Sequence, residues 1–295
     1  MKREEIQIRD PYILTVESEK AYYLYGTTDK NCWSDTAKGF ECYRSTDLEN
    51  WEGPFDAFIP DKDFWADRHF WAPEVHIYKN KYYMFASFKS ADKCRGTQIL
   101  TADNPKGPFK PISDKPVTPE NWECLDGTLY MDKQGQPWII FCHEWTQIVD
   151  GEMVAMRLSD DLSETVGEPI KLFSASQAEW TRGSVHNVNG KDQEVFVTDG
   201  PFMYTTKNGE LLMIWSSGSK TGYAIGIARS KSGRVDGEWT HDADLLFGEN
   251  GGHGMIFKGF DGKLYVTLHS PNKTPNERPC FIEIEEIDNK LRIKK

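Results

Sequence analysis

The chain has 295 residues, of which 46 are Asp or Glu and 35 are Lys or Arg, so its net charge at pH 7 is −11. This acidic balance argues against nucleic acid and against an anionic membrane surface as partners, and it leaves neutral ligands such as sugars. Aromatic residues make up 13% of the chain; flat rings of this kind fill β-sheet cores and also pack against the C–H faces of sugars.

The N-terminal segment MKREEIQIRD contains no apolar stretch of the kind found in a secretory leader. No window of the sequence approaches the length and hydrophobicity of a membrane span. These observations predict a soluble, cytoplasmic protein, and a chain whose leader has been removed is the alternative.

Six cysteines are spread along the chain, and no two of them form a CxxC pair. This spacing argues against a zinc or iron–sulfur site. A chain of this length does not need disulfides for stability, so we expect reduced and mostly buried thiols.

Five segments that consist of a turn signal followed by a buried strand recur along the chain. They are KAYYLYGTTD from Lys20, NKYYMFASFK from Asn80, GQPWIIFCHE from Gly135, GELLMIWSSG from Gly209 and GKLYVTLHSP from Gly262. A second alternating segment follows each of them, and no linker divides the chain. Several short strands repeated every 50–60 residues or so predict a β-propeller. We therefore expect an all-β, five-bladed β-propeller in which residues 1–295 form a single domain.

Each repeat opens with a strand that carries a polar residue beside Gly or Pro. These strands are IQIRDPYI with Asp10, RHFWAPEVHIY with Glu74 and His76, WECLDGTLYMD with Asp126, EVFVTDGPFMY with Asp199, and GGHGMIFKGF with His253. The innermost strands of a propeller line its central channel, so these groups are predicted to converge on one axis. Five unrelated exposed turns are the alternative. A convergent set of carboxylates is costly to bury and therefore indicates a functional site.

A cluster of carboxylates favours glycoside hydrolysis as the chemistry of this site. One carboxylic acid protonates the leaving oxygen. A second carboxylate either activates a water molecule, in an inverting enzyme, or attacks the sugar itself, in a retaining enzyme. The sequence alone leaves both stereochemical outcomes open.

The chain resembles glycoside hydrolase family 43, whose members are five-bladed propeller enzymes acting on arabinose- and xylose-containing glycans. The resemblance is carried by RDPYI, FWAPEV, LDGTLYMD, a GP motif in the fourth repeat, and GGHG followed by LHSPN and ERP. No single motif is specific, but their order and spacing extend over essentially the whole chain. The resemblance implies a single-step inverting mechanism.

The resemblance also implies roles for three carboxylates. Asp10 would be the general base that activates water, and Asp126 would orient the acid and raise its pKa. The general acid of the family is usually a Glu directly before Gly-Pro, whereas this chain has Asp199 there, which is one methylene shorter. We assign the acid to Asp199; a proton supplied by Glu144 or Glu74, or weak acid catalysis, is the alternative.

Five further positions are expected to contact the sugar: Trp71, Glu74, Glu144, Trp145 and Arg278. The two tryptophans would form sugar platforms, with core packing as the alternative for each. Glu144 would bind a hydroxyl group. Arg278 matches an arginine that faces the sugar in the family, with an ordinary surface arginine as the alternative.

His253 matches a histidine that lies beneath the site in the family and contacts a calcium ion or a water molecule. The resemblance therefore implies a structural calcium ion near the propeller axis, and no other cofactor is required. The sequence shows no dedicated loop of oxygen ligands of the kind that calcium prefers. A hydrogen-bonded core histidine is the alternative.

The expected activity is inverting exo-hydrolysis of terminal α-L-arabinofuranosyl residues from plant-cell-wall-derived oligosaccharides. Exo attack is expected because an intracellular enzyme meets short imported oligosaccharides rather than polymers. The alternatives are a β-xylosidase or β-galactosidase of the same family and a non-catalytic carbohydrate-binding propeller. A small oligosaccharide is the expected partner, with no nucleic acid and no membrane.

Overall fold

The computed structural model describes residues 1–34 and 36–294. Five four-stranded sheets, each built from strands that are consecutive in the sequence, form the bulk of the fold. A separate two-stranded hairpin lies between the third and fourth sheets along the chain. No helix within the described ranges is long and apolar enough to cross a bilayer.

The strands of the five blades follow one another in the order of the sequence. Blade 1 contains β1 (Arg9–Val16), β2 (Ala21–Thr27), β3 (Phe40–Ser45) and β4 (Glu52–Phe58). Blade 2 contains β5 (Arg68–Tyr78), β6 (Lys81–Lys89), β7 (Gly96–Ala102) and β8 (Lys110–Pro111). Blade 3 contains β9 (Cys124–Met131), β10 (Pro137–His143), β11 (Glu152–Leu158) and β12 (Thr165–Ser174).

The hairpin and the last two blades complete the fold. The hairpin consists of β13 (Ser184–Val188) and β14 (Lys191–Val195). Blade 4 contains β15 (Asp199–Thr205), β16 (Leu211–Ser219), β17 (Gly222–Ser230) and β18 (Trp239–His241). Blade 5 contains β19 (Gly252–Lys258), β20 (Leu264–Ser270), β21 (Arg278–Ile287) and β22 (Lys290–Ile293). The helical pieces are α1 (Trp145–Ile148) and two 3-10 turns at Arg3–Glu5 and Ala175–Gln177.

The first strands of the five blades form a closed ring. Each of β1, β5, β9, β15 and β19 contacts the first strand of both neighbouring blades, and β1 meets β19. The segment before β1 supports this closure, because the amide of Ile8 donates to the carbonyl of Glu277 at 3.3 Å. The expected five-bladed β-propeller is therefore confirmed.

The apolar repeats in the sequence are the second strands of the blades. Every residue of β2 and of β10 is buried, because these strands have a neighbour on each side and a packed sheet above and below. The outer strands β4 and β12 are largely exposed at their solvent edge. Aliphatic and aromatic side chains fill the spaces between blades in four clusters. All six cysteines are free thiols.

A β-bulge interrupts the pairing of every first strand at the same place. The residue at the bulge has a positive φ in all five blades, from +47° to +57°: Asp10, Ala72, Asp126, Gly200 and His253. Asp and Gly tolerate this left-handed conformation better than most residues. A bulge bends the strand and redirects its side chains, so the five repeated bulges turn neighbouring residues toward one end of the channel.

Candidate active site

A cleft of about 700 Å³ is lined by residues at and beside these bulges. All five blades contribute to it. Asp10 comes from blade 1, Trp71 from blade 2, Asp126 from blade 3, Asp199 from blade 4 and His253 from blade 5. The structure thus brings together the three carboxylates that the sequence singles out.

Hydrogen-bond donors and positively charged groups around Asp10 stabilise its ionised form. Its Oδ2 accepts a 2.9 Å hydrogen bond from the Thr27 hydroxyl, and its Oδ1 lies 3.2 Å from Nδ1 of His253. Burial alone would raise the pKa of Asp10, but His253, the neighbouring Arg9 guanidinium and the Thr27 hydrogen bond together lower it below its usual value. An ionised carboxylate of this kind is able to accept a proton.

His269 lies against Asp10 without serving as a cationic partner. The amide of Asp10 donates to Nδ1 of His269 at 3.1 Å, and Nε2 lies 3.1 Å from Oδ1 of Asn272. This pattern fits a neutral imidazole with its proton on Nε2. Complete burial lowers the pKa of His269 to about 4, against the opposing charge of Asp10.

Asp126 is buried and approaches the same ring nitrogen of His253 as Asp10 does. Its Oδ2 accepts a 3.0 Å hydrogen bond from the amide of Gly200 and lies 3.6 Å from Nδ1 of His253. Burial, reinforced by the negative charge of Asp10, raises the pKa of Asp126 well above its usual value. The surroundings therefore favour the neutral form of Asp126 and the charged form of Asp10.

Gly200 has to be glycine for this arrangement. Its φ is +50°, and a Cβ atom there would lie 2.7 Å from Cδ2 of His253. The missing side chain lets the His253 ring and the carboxyl of Asp126 approach the same stretch of backbone.

Asp199 has the properties of a proton donor near neutral pH. Burial and then the neighbouring Asp126 raise the pKa of Asp199 to about 7, while His253 and a hydrogen bond from Tyr223 act in the opposite direction. The Tyr223 hydroxyl donates to Oδ2 of Asp199 at 2.9 Å. Two carboxyl groups whose surroundings separate their pKa values in this way are suited to be an acid and a base.

His253 lies against two of the three carboxylates, and the described residues do not place it in a metal site. Its amide donates to Oγ of Ser216 at 2.8 Å, and its Nδ1 faces both Asp10 and Asp126. Residues 1–34 and 36–294 contain no group of three or more His, Cys, Asp or Glu side chains arranged to hold a metal ion. Calcium requires six to eight oxygen ligands, so the residues around His253 do not fit the expected ion, and we derive no step through it.

Trp71 lines the cleft and is fixed from behind by a buried cation. The guanidinium of Arg95 lies 4.0 Å from the Trp71 ring centre, and the His69 ring stacks on it at 4.5 Å. A 2.8 Å hydrogen bond from Arg95 to Nδ1 of His69 keeps these two groups side by side, so both cover the same face of the indole. Trp33 meets Trp71 edge to face at 5.1 Å. The indole is thus a rigid wall of the cleft.

Glu144 and Trp145 line the cleft from the end of β10 and the start of α1. Glu144 is buried, and it forms an ion pair and a short hydrogen bond with Arg95. The Glu144 carboxylate is therefore engaged by a buried guanidinium, whereas Asp199 accepts its hydrogen bond from the Tyr223 hydroxyl. Trp145 is partly exposed and lies 4.9 Å from the ring of His186.

Two of the expected sugar contacts lie outside the residues that line the cleft. Glu74 is buried and follows Ala72, the bulge residue of β5, by two residues along the strand. Its Oε2 lies 3.2 Å from Nε2 of His76. Arg278 donates to the carbonyls of Glu4, at 2.8 Å, and Glu277, at 2.8 Å, so it ties the N-terminal segment to blade 5. Neither position agrees with the expected role, because each side chain is already satisfied away from the cleft.

Arg9 is the arginine that lines the cleft from the position next to Asp10. Its Nη1 donates to Oε1 of the buried Glu277 at 2.7 Å, and its guanidinium lies 4.9 Å from the Trp33 ring centre. The sequence motif RDPYI contains this residue, but the strand pattern did not predict that it faces the cleft. The sequence also did not single out Tyr223 or Arg95. Tyr223 lies in β17 and Arg95 directly precedes β7, and both are third strands of their blades. Apolar and polar residues alternate in these strands, so nothing distinguishes either residue from a core or surface residue.

Comparison with known proteins places the chain among sugar-cleaving enzymes. Residues 5–289 match the family model described as Glycosyl hydrolases family 43. The chain is 24% identical to the extracellular exo-α-(1→5)-L-arabinofuranosidase ArbA of Cellvibrio japonicus (strain Ueda107), over 92% of this chain and 81% of that protein. Among solved structures, an endo-arabinase from Bacteroides thetaiotaomicron VPI-5482 is 41% identical, with 98% of each chain covered and a TM-score of 0.89. A thermostable family-43 glycoside hydrolase is 26% identical, over 98% of this chain and 93% of that chain, with a TM-score of 0.81.

Proposed function

Because the chain belongs to glycosyl hydrolases family 43, it is a glycoside hydrolase, and we propose that it cleaves α-L-arabinofuranosyl linkages with inversion. The observation that carries this proposal is the pairing of an ionised Asp10 with an Asp199 whose pKa is raised to about 7 in one cleft. Arabinose is favoured as the sugar because the relative that is 41% identical is an endo-arabinase and the curated relative is an arabinofuranosidase.

The proposed reaction proceeds in one step. A water molecule held by Asp10 attacks the anomeric carbon while the bond from that carbon to the leaving oxygen breaks. The proton of the water passes to Asp10, and the proton of Asp199 passes to the leaving oxygen. The neighbouring Asp126 carboxyl raises the pKa of Asp199, which favours the protonated form of the acid before the reaction.

Aspartate in place of glutamate does not by itself make this site a binding module. A carbohydrate-binding propeller needs no titrating carboxyl group in its cleft. Here burial, Asp126 and Tyr223 together bring Asp199 into the range in which a general acid works. The arrangement of Asp199 therefore favours catalysis.

The mode of attack is a second question, and the cleft favours internal bonds as well as chain ends. Trp33 and Trp71 line it from blades 1 and 2, and Trp145 and His186 line it from blade 3 and the connection to blade 4. Aromatic side chains thus lie on two sides of the carboxylates, and each side can hold a sugar. The expectation of exo attack came from the predicted compartment and not from the site, so we propose that oligosaccharides bind on both sides of the cleaved bond.

The experiment that tests the proposal compares Asp10→Asn and Asp199→Asn on two substrates. One is an α-1,5-linked arabino-oligosaccharide, and the other is 2,4-dinitrophenyl arabinofuranoside, whose leaving group needs no proton. We expect Asp10→Asn to lose roughly 10²–10⁴-fold in rate on both, and Asp199→Asn to lose that much on the oligosaccharide only. Proton NMR of the first product should show the inverted anomer. Equal losses for the two variants on both substrates, or a retained anomer, would overturn the assignment.

A further inference from the structure

The connection between blades 3 and 4 is the longest between blades and carries its own hairpin. Residues 175–198 form it, whereas residues 59–67, 112–123 and 242–251 form the other connections. Among the residues that the structure describes, the hairpin β13–β14 forms a two-stranded sheet of its own. An isolated two-stranded hairpin is marginally stable in water, so its ordered position requires support from the rest of the fold.

The base of the hairpin is fastened to the segment that carries Trp145. The amide of Phe196 donates to the carbonyl of Val149 at 3.0 Å, and the amide of Gly151 donates to the carbonyl of Phe196 at 2.8 Å. Val188 and Val195 are buried beneath the hairpin. These hydrogen bonds join the segment that directly follows α1 to the residue that directly follows β14, so they hold α1 and the hairpin close together.

His186 projects from this hairpin toward the cleft. It is exposed, lines the cleft, and lies 4.9 Å from the ring centre of Trp145 with 46° between the ring planes. Its Nε2 lies 2.9 Å from the Ser184 hydroxyl, which limits rotation of the ring. Val185, the next residue in the strand, is 71% exposed and belongs to the opposite face of the hairpin.

The position of Trp145 and His186 relative to Asp199 indicates on which side of the cleaved bond the two rings lie. Asp199 opens the strand that directly follows the hairpin, on the opposite side of the ring from blade 1, which carries Asp10. In the proposed reaction, the acid stands beside the leaving oxygen and the base stands beside the attacked face of the sugar. Sugars attached to the leaving oxygen therefore extend toward Trp145 and His186.

We infer that His186 and Trp145 form a platform for the arabinofuranosyl residues on the leaving-group side of the cleaved bond, and that the hairpin exists to build it. This inference rests on the proposed function. The platform contributes binding only to substrates that are long enough to reach it. It takes no part in the chemistry at the anomeric carbon.

The test uses His186→Ala and Trp145→Ala, with Val185→Ala as a matched control on the same hairpin and His186→Tyr as the rescue variant. Each is assayed on α-1,5-linked arabino-oligosaccharides of increasing length and on arabinofuranosyl fluoride, whose leaving group is a single atom. We expect His186→Ala and Trp145→Ala to lower kcat/KM on the longer oligosaccharides by roughly 3- to 10-fold. On the fluoride they should remain within about twofold of wild type. Val185→Ala should match wild type throughout, and His186→Tyr should recover most of the loss.

Several results would overturn the platform. They are an equal loss on the oligosaccharides and the fluoride, no loss on either, or the same loss in Val185→Ala. If wild type hydrolyses neither substrate, the proposed function itself fails, and calorimetric binding decides the platform separately. In that case His186→Ala in an Asp10→Asn background should weaken oligosaccharide binding by a similar factor, and unchanged binding refutes the platform.

Discussion

The hydroxyl of Tyr223 donates a 2.9 Å hydrogen bond to Oδ2 of Asp199 in the wall of the cleft. Burial and the neighbouring Asp126 raise the pKa of this carboxyl to about 7, and the Tyr223 hydrogen bond works against that rise. A donor to a carboxylate stabilises its charged form. Tyr223 therefore sets the upper end of the pH range in which Asp199 holds a proton.

Replacing Tyr223 with Phe should move the alkaline limb of the pH profile upward. Without the donor, the charged form of Asp199 loses a hydrogen bond, so its pKa rises from about 7 and the acid stays protonated to higher pH. We expect the alkaline limb of kcat/KM to shift up by about one pH unit. Tyr204→Phe is the matched control, since Tyr204 lies on β15 and donates to Glu286 away from the cleft. A limb that stays in place or moves down contradicts this role for Tyr223.

Asp199 should also make the stability of the protein depend on pH. Its pKa is near 3.9 in the unfolded chain and is raised to about 7 in the folded protein. The folded state therefore holds a proton that the unfolded state has released, and stability falls as pH rises from about 4 to about 7. Asp199→Asn, which cannot ionise, should be more stable than wild type above pH 7, by at most about 4 kcal/mol, and equal to it below pH 4.

Thermal unfolding of wild type and Asp199→Asn at pH 4 and pH 8 measures this difference. The gain in melting temperature should appear at pH 8 and vanish at pH 4. A gain of the same size at both values would mean that the substitution acts through packing and not through ionisation. Asp192→Asn, an exposed carboxylate on the hairpin, serves as the control and should change neither value.

Thr27 should determine the acidic limb of the profile in the same way. Its hydroxyl donates to Oδ2 of Asp10 at 2.9 Å and accepts from the amide of Ala72 at 2.9 Å. The hydrogen bond helps to lower the pKa of Asp10, so Thr27→Val should raise that pKa and move the acidic limb of kcat/KM to higher pH. Thr27→Ser keeps the hydroxyl and should leave the limb where it is. A shift of equal size in both variants would show that altered packing at this position, not loss of the hydroxyl, moves the limb.

The blade order was predictable because each second strand is an apolar run between turn signals. The position of each site residue along the first strand of its blade was harder to predict from the sequence. The sequence places Glu74 in the same series as Asp10 and Asp126, but the bulge that carries Asp10 and Asp126 falls on Ala72 in blade 2 and on Gly200 in blade 4. Asp199 precedes its bulge by one residue. A register shift is a property of strand pairing, and residue types alone do not reveal it.

Contacts between distant segments account for the remaining differences. Arg278 resembles a sugar-facing arginine by its motif. Its guanidinium instead donates a hydrogen bond to the carbonyl of Glu4, where the N-terminal segment contacts blade 5. His186 lies in a polar stretch with no distinctive pattern, and only the fold brings it to Trp145. Both outcomes depend on where loops from different blades end, which local sequence does not encode.

Arg95 and Glu144 form a buried ion pair whose disruption should destabilise the protein. Both side chains are at most 9% exposed, and Arg95 also packs on the Trp71 ring that lines the cleft. Arg95→Met leaves the Glu144 charge buried without its partner, which should cost about 3–5 kcal/mol of unfolding free energy. The double variant Arg95→Met/Glu144→Gln removes the charge as well and should recover much of that loss. Urea denaturation of Arg95→Met, of Glu144→Gln and of the double variant measures the coupling, and strictly additive losses would show that the pair does not act as a unit.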